Sequence, residues 1–218
     1  MALSEPLDPD EFQELAGITS VAWSLMDQEE MAGYGSGEWL TRGLGPSLWQ
    51  GDVTCAPLPF EEAHALRAKL NWLSSARTAY VYNPEQPGPA SDRDGTALSG
   101  STITINTIGA NRDTVILEGF PAGFVITAGD LFHLDYGSYR RALMEFAEGG
   151  TCGGTGASPT LTLSKPLRAG ITTGTEITMI KPAAKCKITK GSVKIGTSSR
   201  STTLMDISFS VMQTLKAS

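Results

Sequence analysis

The chain has 218 residues and a mass of 23.1 kDa, of which 40% are hydrophobic and 18% charged. That length buries a core as one domain or two small ones, and a formal net charge of −6 argues against a general nucleic-acid binder held by phosphate contacts. The 24 glycines and 12 prolines are bunched between short apolar runs, which favours many short strands over long helices.

Residues 1–17 carry Pro6, Pro9 and several acids and read as a loosely held arm rather than a signal peptide. No later run approaches the roughly 20 apolar residues of a membrane helix, so no membrane insertion is expected. Residues 18–27 alternate, with Val21, Trp23 and Leu25 on one face, and predict a strand. The glycine-rich stretch 31–46 predicts an irregular loop, with Trp39 and Leu40 anchoring it to the core. Residues 47–55 alternate again through Trp49, Val53 and Cys55.

Phe60, Ala63, Leu66, Leu70 and Leu73 recur at helical spacing, so 60–75 predicts an amphipathic helix. Pro57 and Pro59 precede it, and Glu61 and Glu62 favour its first turn. A short strand is expected at 78–82. Residues 83–100 are rich in Pro, Gly and Asp and predict a long exposed loop with a functional or interfacial role. Its Asp92-Arg93-Asp94-Gly95 run lacks the remaining ligands of a calcium loop.

From residue 101 the pattern is almost wholly β. Strands are expected at 101–108, 114–117, around 161–163, at 176–180 and at 205–215. The segment 121–137 adds turns at Ala122-Gly123 and Gly129-Asp130. Residues 185–195 predict a hairpin broken at Lys190-Gly191. Residues 138–147 are ambiguous, because propensity favours helix while the flanking turns favour strand.

Candidate chemistry is sparse. His64 falls in the helix and His133 in a strand, and each reads as a packed or surface side chain. Cys152 sits in a glycine-rich loop with neither a base nor an orienting group indicated. Asp130 and Asp135 resemble paired carboxylates only weakly, since Asp130 fits a Gly-Asp turn. Cys55, Cys152 and Cys186 are odd in number and far apart. They read as reduced, mostly buried thiols, with one bridge as the alternative. No catalytic residue, cofactor or metal is expected, which leaves a binding module or a structural subunit.

Charge is distributed unevenly. Residues 1–100 hold 15 acidic and 5 basic side chains, and residues 101–218 hold 8 acidic and 12 basic. The densest basic run contains Lys181, Lys185, Lys187, Lys190, Lys194 and Arg200 without an acid. Two readings fit it: lysines protecting a strand edge, or a subunit interface in which Lys185, Lys187, Lys190 and Lys194 face an acidic surface of a neighbouring copy.

The order Gly119-Phe120, Ala128-Gly129-Asp130-Leu131-Phe132, Tyr136-Gly137, Arg140-Arg141-Ala142-Leu143, then Pro166-Leu167-Arg168-Ala169-Gly170-Ile171 and Gly174-Thr175 resembles distal tail proteins of siphovirus-type bacteriophages, whose tails are long and non-contractile. Trp49-Gln50-Gly51, the helix after it and the final Ser208-Phe209-Ser210-Val211 strand are similar too. The glycine-rich 149–156 loop departs from that pattern.

The resemblance implies a mainly β chain. A split β-sandwich ring domain with one α-helix (1–117 and 183–218) would hold an inserted small β-barrel of the oligonucleotide/oligosaccharide-binding type (118–182). It further implies a structural virion protein made in the bacterial host cytoplasm, a hexameric ring joining the tail tube to the tip or baseplate hub. Its partners would be other copies of itself and the tube, tape-measure and hub proteins, with DNA only passing through the lumen. Another tail component (tube, terminator or minor tail protein) is one alternative. A carbohydrate-binding module using Tyr34 and Trp39 is the other.

Overall fold

A computed structural model describes residues 5–9, 12, 16–33, 35, 37–74, 77–195 and 204–216. The fold is mainly β, as the turn-rich composition predicts. Strand β1 (Ile18–Met26) leads into a short hairpin, β2 (Glu29–Gly33) and β3 (Trp39–Gly43), and returns as β4 (Leu48–Cys55). Strand β5 (Leu58–Pro59), helix α1 (Phe60–Leu73) and β6 (Ala79–Val81) follow. Pro59 caps α1 without a side-chain hydrogen bond, and the buried stripe is Ala63, Leu66, Leu70 and Leu73. Phe60, expected on that stripe, stays exposed. It covers the His64 ring instead, with centroids 4.2 Å apart.

After the long 83–100 loop come β7 (Ile103–Ile108), β8 (Thr114–Glu118), β9 (Val125–Ile126), β10 (Leu131–Tyr136), β11 (Arg140–Glu145) and β12 (Gly150–Thr151). Then follow β13 (Leu161–Thr162), β14 (Glu176–Thr178), β15 (Ala184–Ile188), β16 (Lys194–Ile195), β17 (Leu204–Met205) and β18 (Ile207–Gln213).

Two six-stranded antiparallel sheets result. The first runs β1-β4-β18-β15-β6, with β16 also on β18, and so joins both ends of the chain. The second runs β11-β10-β14-β7-β8-β13. Its outer strands meet through a Phe146–Leu163 bridge, Ala147 N–H donating to the Thr162 carbonyl at 2.9 Å, and Ser164 N–H to that of Glu145 at 3.0 Å. These bonds close the sheet into a small barrel, which removes its edges.

Strands β7 and β8, expected in the split sandwich, pair with β14 and β13 in the barrel. Hydrogen bonding therefore divides the sheets before residue 103 rather than at 117/118. The reason is register: Ile103 and Ile105 complete the barrel interior beside Val115, Leu117 and Phe132.

The 185–195 segment also differs from expectation. Instead of folding back as a hairpin, β15 and β16 both run antiparallel to β18, Lys187 opposite Met212 and Lys194 opposite Ser208. A tight turn, in which Ser192 N–H donates to the Thr189 carbonyl at 3.1 Å, bulges the strand outward. Residues 138–147 resolve as β11, because the 137–139 turn pairs Tyr136 with Arg140.

Two cores fill these sheets. The first is built on Val21, Trp49, Val53, Phe209 and Val211, with α1 laid against it. Gly51 is part of its packing, since a Cβ there would lie 2.8 Å from the Trp23 ring. The barrel core contains the stacked pair Phe132–Phe146, with ring centroids 4.6 Å apart. Gly156 sits at φ +78°, and a Cβ on it would approach the Phe120 carbonyl oxygen to 2.3 Å. Phe120 N–H donates to the Gly156 carbonyl there, so the glycine-rich 149–156 segment, which contains β12, is held at its far end.

The barrel and the first sheet share side chains. Leu131 and Leu143 alternate away from the barrel interior and join the first core. Trp49 Nε1–H donates to the Leu143 carbonyl at 2.8 Å. Arg168 donates to the Ser47 carbonyl, and Lys165 pairs with Asp27 at 2.7 Å.

Candidate interaction surface

The hairpin β2–β3 continues the β1–β4 ladder past the point where β18 stops. The register passes from Met26–Leu48 to Glu29–Gly43 and ends at Gly33–Trp39. Leu44 N–H donates to the Gln28 carbonyl at 2.7 Å at the junction, beyond which β2 and β3 form a two-stranded sheet of their own. All ten strand residues of this arm are exposed. Directly opposed residues share a face, so Met31, Thr41 and Trp39 lie on one side and Ala32, Leu40, Glu30 and Arg42 on the other. Trp39 lies over Gly33 and is 69% exposed, and Met31 is 62% exposed.

The expectation that Trp39 and Leu40 anchor this segment is therefore corrected. Every residue of β2 and β3 is exposed, so nothing among the described residues covers the arm. Of the eight exposed large hydrophobics among the described residues, Met26, Met31, Trp39, Leu40 and Leu44 fall on or at the base of the arm. Only its base is pinned, by the Lys165–Asp27 pair. Tyr34, the other candidate sugar platform, lies outside the described residues.

The four lysines proposed as a subunit interface separate into different environments. Lys185 is 1% exposed. Its ammonium donates to the carbonyls of Tyr139 at 3.0 Å and Lys216 at 3.4 Å, and burial holds its pKa below the usual lysine value. It ties β15 to the barrel. Lys187 is half-buried, while Lys190 and Lys194 are exposed, with no ion pair among the described residues. Lys187 and Lys194 stand opposite Met212 and Ser208 on the face of the first sheet turned from its core. Arg200 lies outside the described residues.

The remaining chemical candidates are structural. The Asp130 carboxylate accepts from the Ala90 and Thr127 N–H groups, both at 2.8 Å. Asp135 pairs in bidentate fashion with Arg141 at 2.7 and 2.8 Å, and Arg141 in turn lies 4.0 Å over the Tyr80 ring. The two carboxylates do not face one another across a site. Asp92 accepts from the Ala97 and Leu98 N–H groups at 3.1 and 3.0 Å and shapes the 83–100 loop from inside. These bonds outweigh its desolvation and hold its pKa below the usual aspartate value.

Cys55, Cys152 and Cys186 are buried free thiols, as expected, and burial pushes Cys55 up to about 11. Such thiols are poor nucleophiles. No group of three metal-ligating side chains occurs among the described residues. A cleft of about 730 Å³ opens between the 85–93 loop and the 128–131 turn, beside Pro182. Of the charged residues that line it, Asp130 is engaged as above and Arg93 donates to the Glu85 carbonyl.

His133 sits where the barrel meets β15. It is buried, and Nδ1 accepts from Ala183 N–H at 3.2 Å. Burial, with the nearby Arg141 charge and against the pull of Asp135, lowers its pKa to about 4. The unfolded chain therefore takes up this proton first. Stability is complete above about pH 6.5 and falls as pH drops towards 4. Linkage sets the loss between pH 7 and 5 at about 2 kcal/mol. Urea midpoints at those two pH values measure it, and His133→Asn, which can still accept from Ala183 but does not titrate, should flatten the difference.

Sequence alone gave no pointer to Met31, Leu40 and Leu44 as surface residues. The signal in the sequence is the glycine cluster Gly33, Gly35 and Gly37, which marks a turn between two short runs. No protein-family model matches the chain, and no curated protein matches it. No helix among the described residues is long and apolar enough to cross a membrane.

Proposed function

We propose that the chain is a structural subunit of a phage tail, one copy of the ring at the distal end that joins the tail tube to the tip or baseplate hub. One observation carries the reading. The first sheet is assembled from both ends of the chain around an intervening small barrel. The Gly-Asp turn, the Pro-Leu-Arg-Ala-Gly segment and the Arg-Arg-Ala-Leu strand that prompted the resemblance all belong to the barrel region. In this role the protein works by contact. Copies associate side by side, the barrels face outward or towards the tip, and tube, tape-measure and hub proteins dock on the faces of the ring. The localisation is then the virion, with synthesis in the host cytoplasm, and DNA passes the lumen without being bound.

Negative-stain imaging of the purified chain tests this. Closed rings with a central hole are expected. Open filaments of indefinite length would favour a tube protein instead. The exposed Trp39 supports one other reading, an aromatic platform for a sugar ring. A chain that stays monomeric and binds glycans, with binding lost in Trp39→Ala, would replace the ring with that reading.

A further inference from the structure

We infer that the β2–β3 arm is the donor half of a head-to-tail contact and that it seats on the lysine-bearing strand β15–β16 of a second copy. This rests on the ring reading above and specifies which surfaces meet.

Three observations place it. First, the arm has apolar side chains on both faces and none of them is covered, while a two-stranded hairpin alone in water is marginal at best. A surface of this kind is completed by a partner. Second, the arm carries Glu29, Glu30 and Glu38 against Arg42 and is acidic, whereas Lys187, Lys190 and Lys194 form a basic row. Opposite charge steers the two together. Third, the arm lies beyond the end of the first sheet: Lys187 is level with Gln50 and Ser24 through Met212, and Lys194 lies further from the arm. Thr54 is level with Ser20 on one side and with Ser208 and Lys194 on the other. Beyond Met26 the arm continues to Gly33, away from all three lysines.

The arm therefore extends away from its own lysines, and the pairing is satisfied between copies. A contact between two different patches is heterologous, and repetition of it closes a ring or propagates a filament. Lys185 takes no part, since it is buried beneath Tyr139.

Disulfide trapping between separately purified variants tests the seat. Thr41→Cys lies on the Met31–Trp39 face of the arm, and Lys190→Cys lies on the bulge between β15 and β16. The native thiols are buried and compete little. Mixing the two variants under mild oxidation should give a crosslinked pair in about tenfold greater yield than Thr41→Cys mixed with Ser99→Cys on the 83–100 loop, because assembly raises the local thiol concentration.

A charge exchange supplies the second arm of the test. Glu29→Lys with Glu30→Lys should weaken assembly, and added Lys190→Glu with Lys194→Glu should restore it. Rings that form normally with no excess crosslinking and no charge rescue would overturn this seat and leave the ring reading standing. A chain that forms no oligomer at any concentration would overturn both.

Discussion

Lys185→Glu is expected to lower stability by about 3–5 kcal/mol, the usual cost of leaving a buried charge without its partners. The wild-type ammonium lies between the carbonyls of Tyr139 and Lys216. A carboxylate there would oppose two acceptor oxygens. Lys185→Met keeps the aliphatic stem and removes the charge. It should cost about 1–3 kcal/mol, since the two carbonyls lose a donor but gain no repulsion. By contrast, Lys190→Glu and Lys194→Glu should stay within about 0.5 kcal/mol of wild type, as exposed positions do. Urea unfolding followed by tryptophan fluorescence reads all four. A Lys185→Glu midpoint equal to that of Lys190→Glu would show that Lys185 is not a core residue. The consequence for function is direct: loss of assembly in a variant reversed at Lys185 reports unfolding, so charge reversal aimed at an interface must use Lys190 and Lys194.

Trp49→Ala is the other large effect, expected at about 3–5 kcal/mol. The indole fills the space between β1 and the barrel strand β11. It stands edge-on to Trp23, with centroids 6.4 Å apart, and donates to the Leu143 carbonyl. The Trp49 backbone N–H donates to the Gln213 side-chain oxygen at 3.3 Å. Truncation opens a cavity where the two sheets meet and leaves the Leu143 carbonyl without that donor. Trp49→Phe keeps most of the apolar contact and should cost about half as much. Both variants should unfold in one transition at lower denaturant, because Leu131 and Leu143 belong to the first core while the rest of their strands line the barrel. A cost under about 1 kcal/mol for Trp49→Ala would contradict this junction.

The same residues explain which parts of the fold were legible. Strands β1, β4 and β18 are covered on one face, so their alternation shows in the sequence, and α1 shows its stripe for the same reason. Strands β10 and β11 are covered on both faces. Leu131, Phe132, His133 and Leu134 are all buried in succession, as are Ala142, Leu143 and Met144. Covering both faces erases the period-two signal, which is why 138–147 looked helical by propensity. The boundary before β7 was hidden because β7 alternates equally well for either sheet, and only its pairing with β14 assigns it.

The interaction surface was half legible. Composition picked out the lysine run, but not the burial of Lys185, which depends on a turn some 46 residues away in sequence. The arm is not legible because glycines with apolar residues among them fit a loop tied to the core as well as they fit an exposed hairpin. An apolar residue signals contact, and its sequence does not say whether the contact is with its own chain or with another.

On the proposed reading, copies of this chain join head to tail and close. Native mass spectrometry across a concentration series tests it most directly. A discrete species near six times 23.1 kDa is expected, persisting on dilution and losing intensity in the Glu29→Lys, Glu30→Lys variant. A single 23.1 kDa species at every concentration, or an unbounded ladder of masses with no favoured closure, would contradict it.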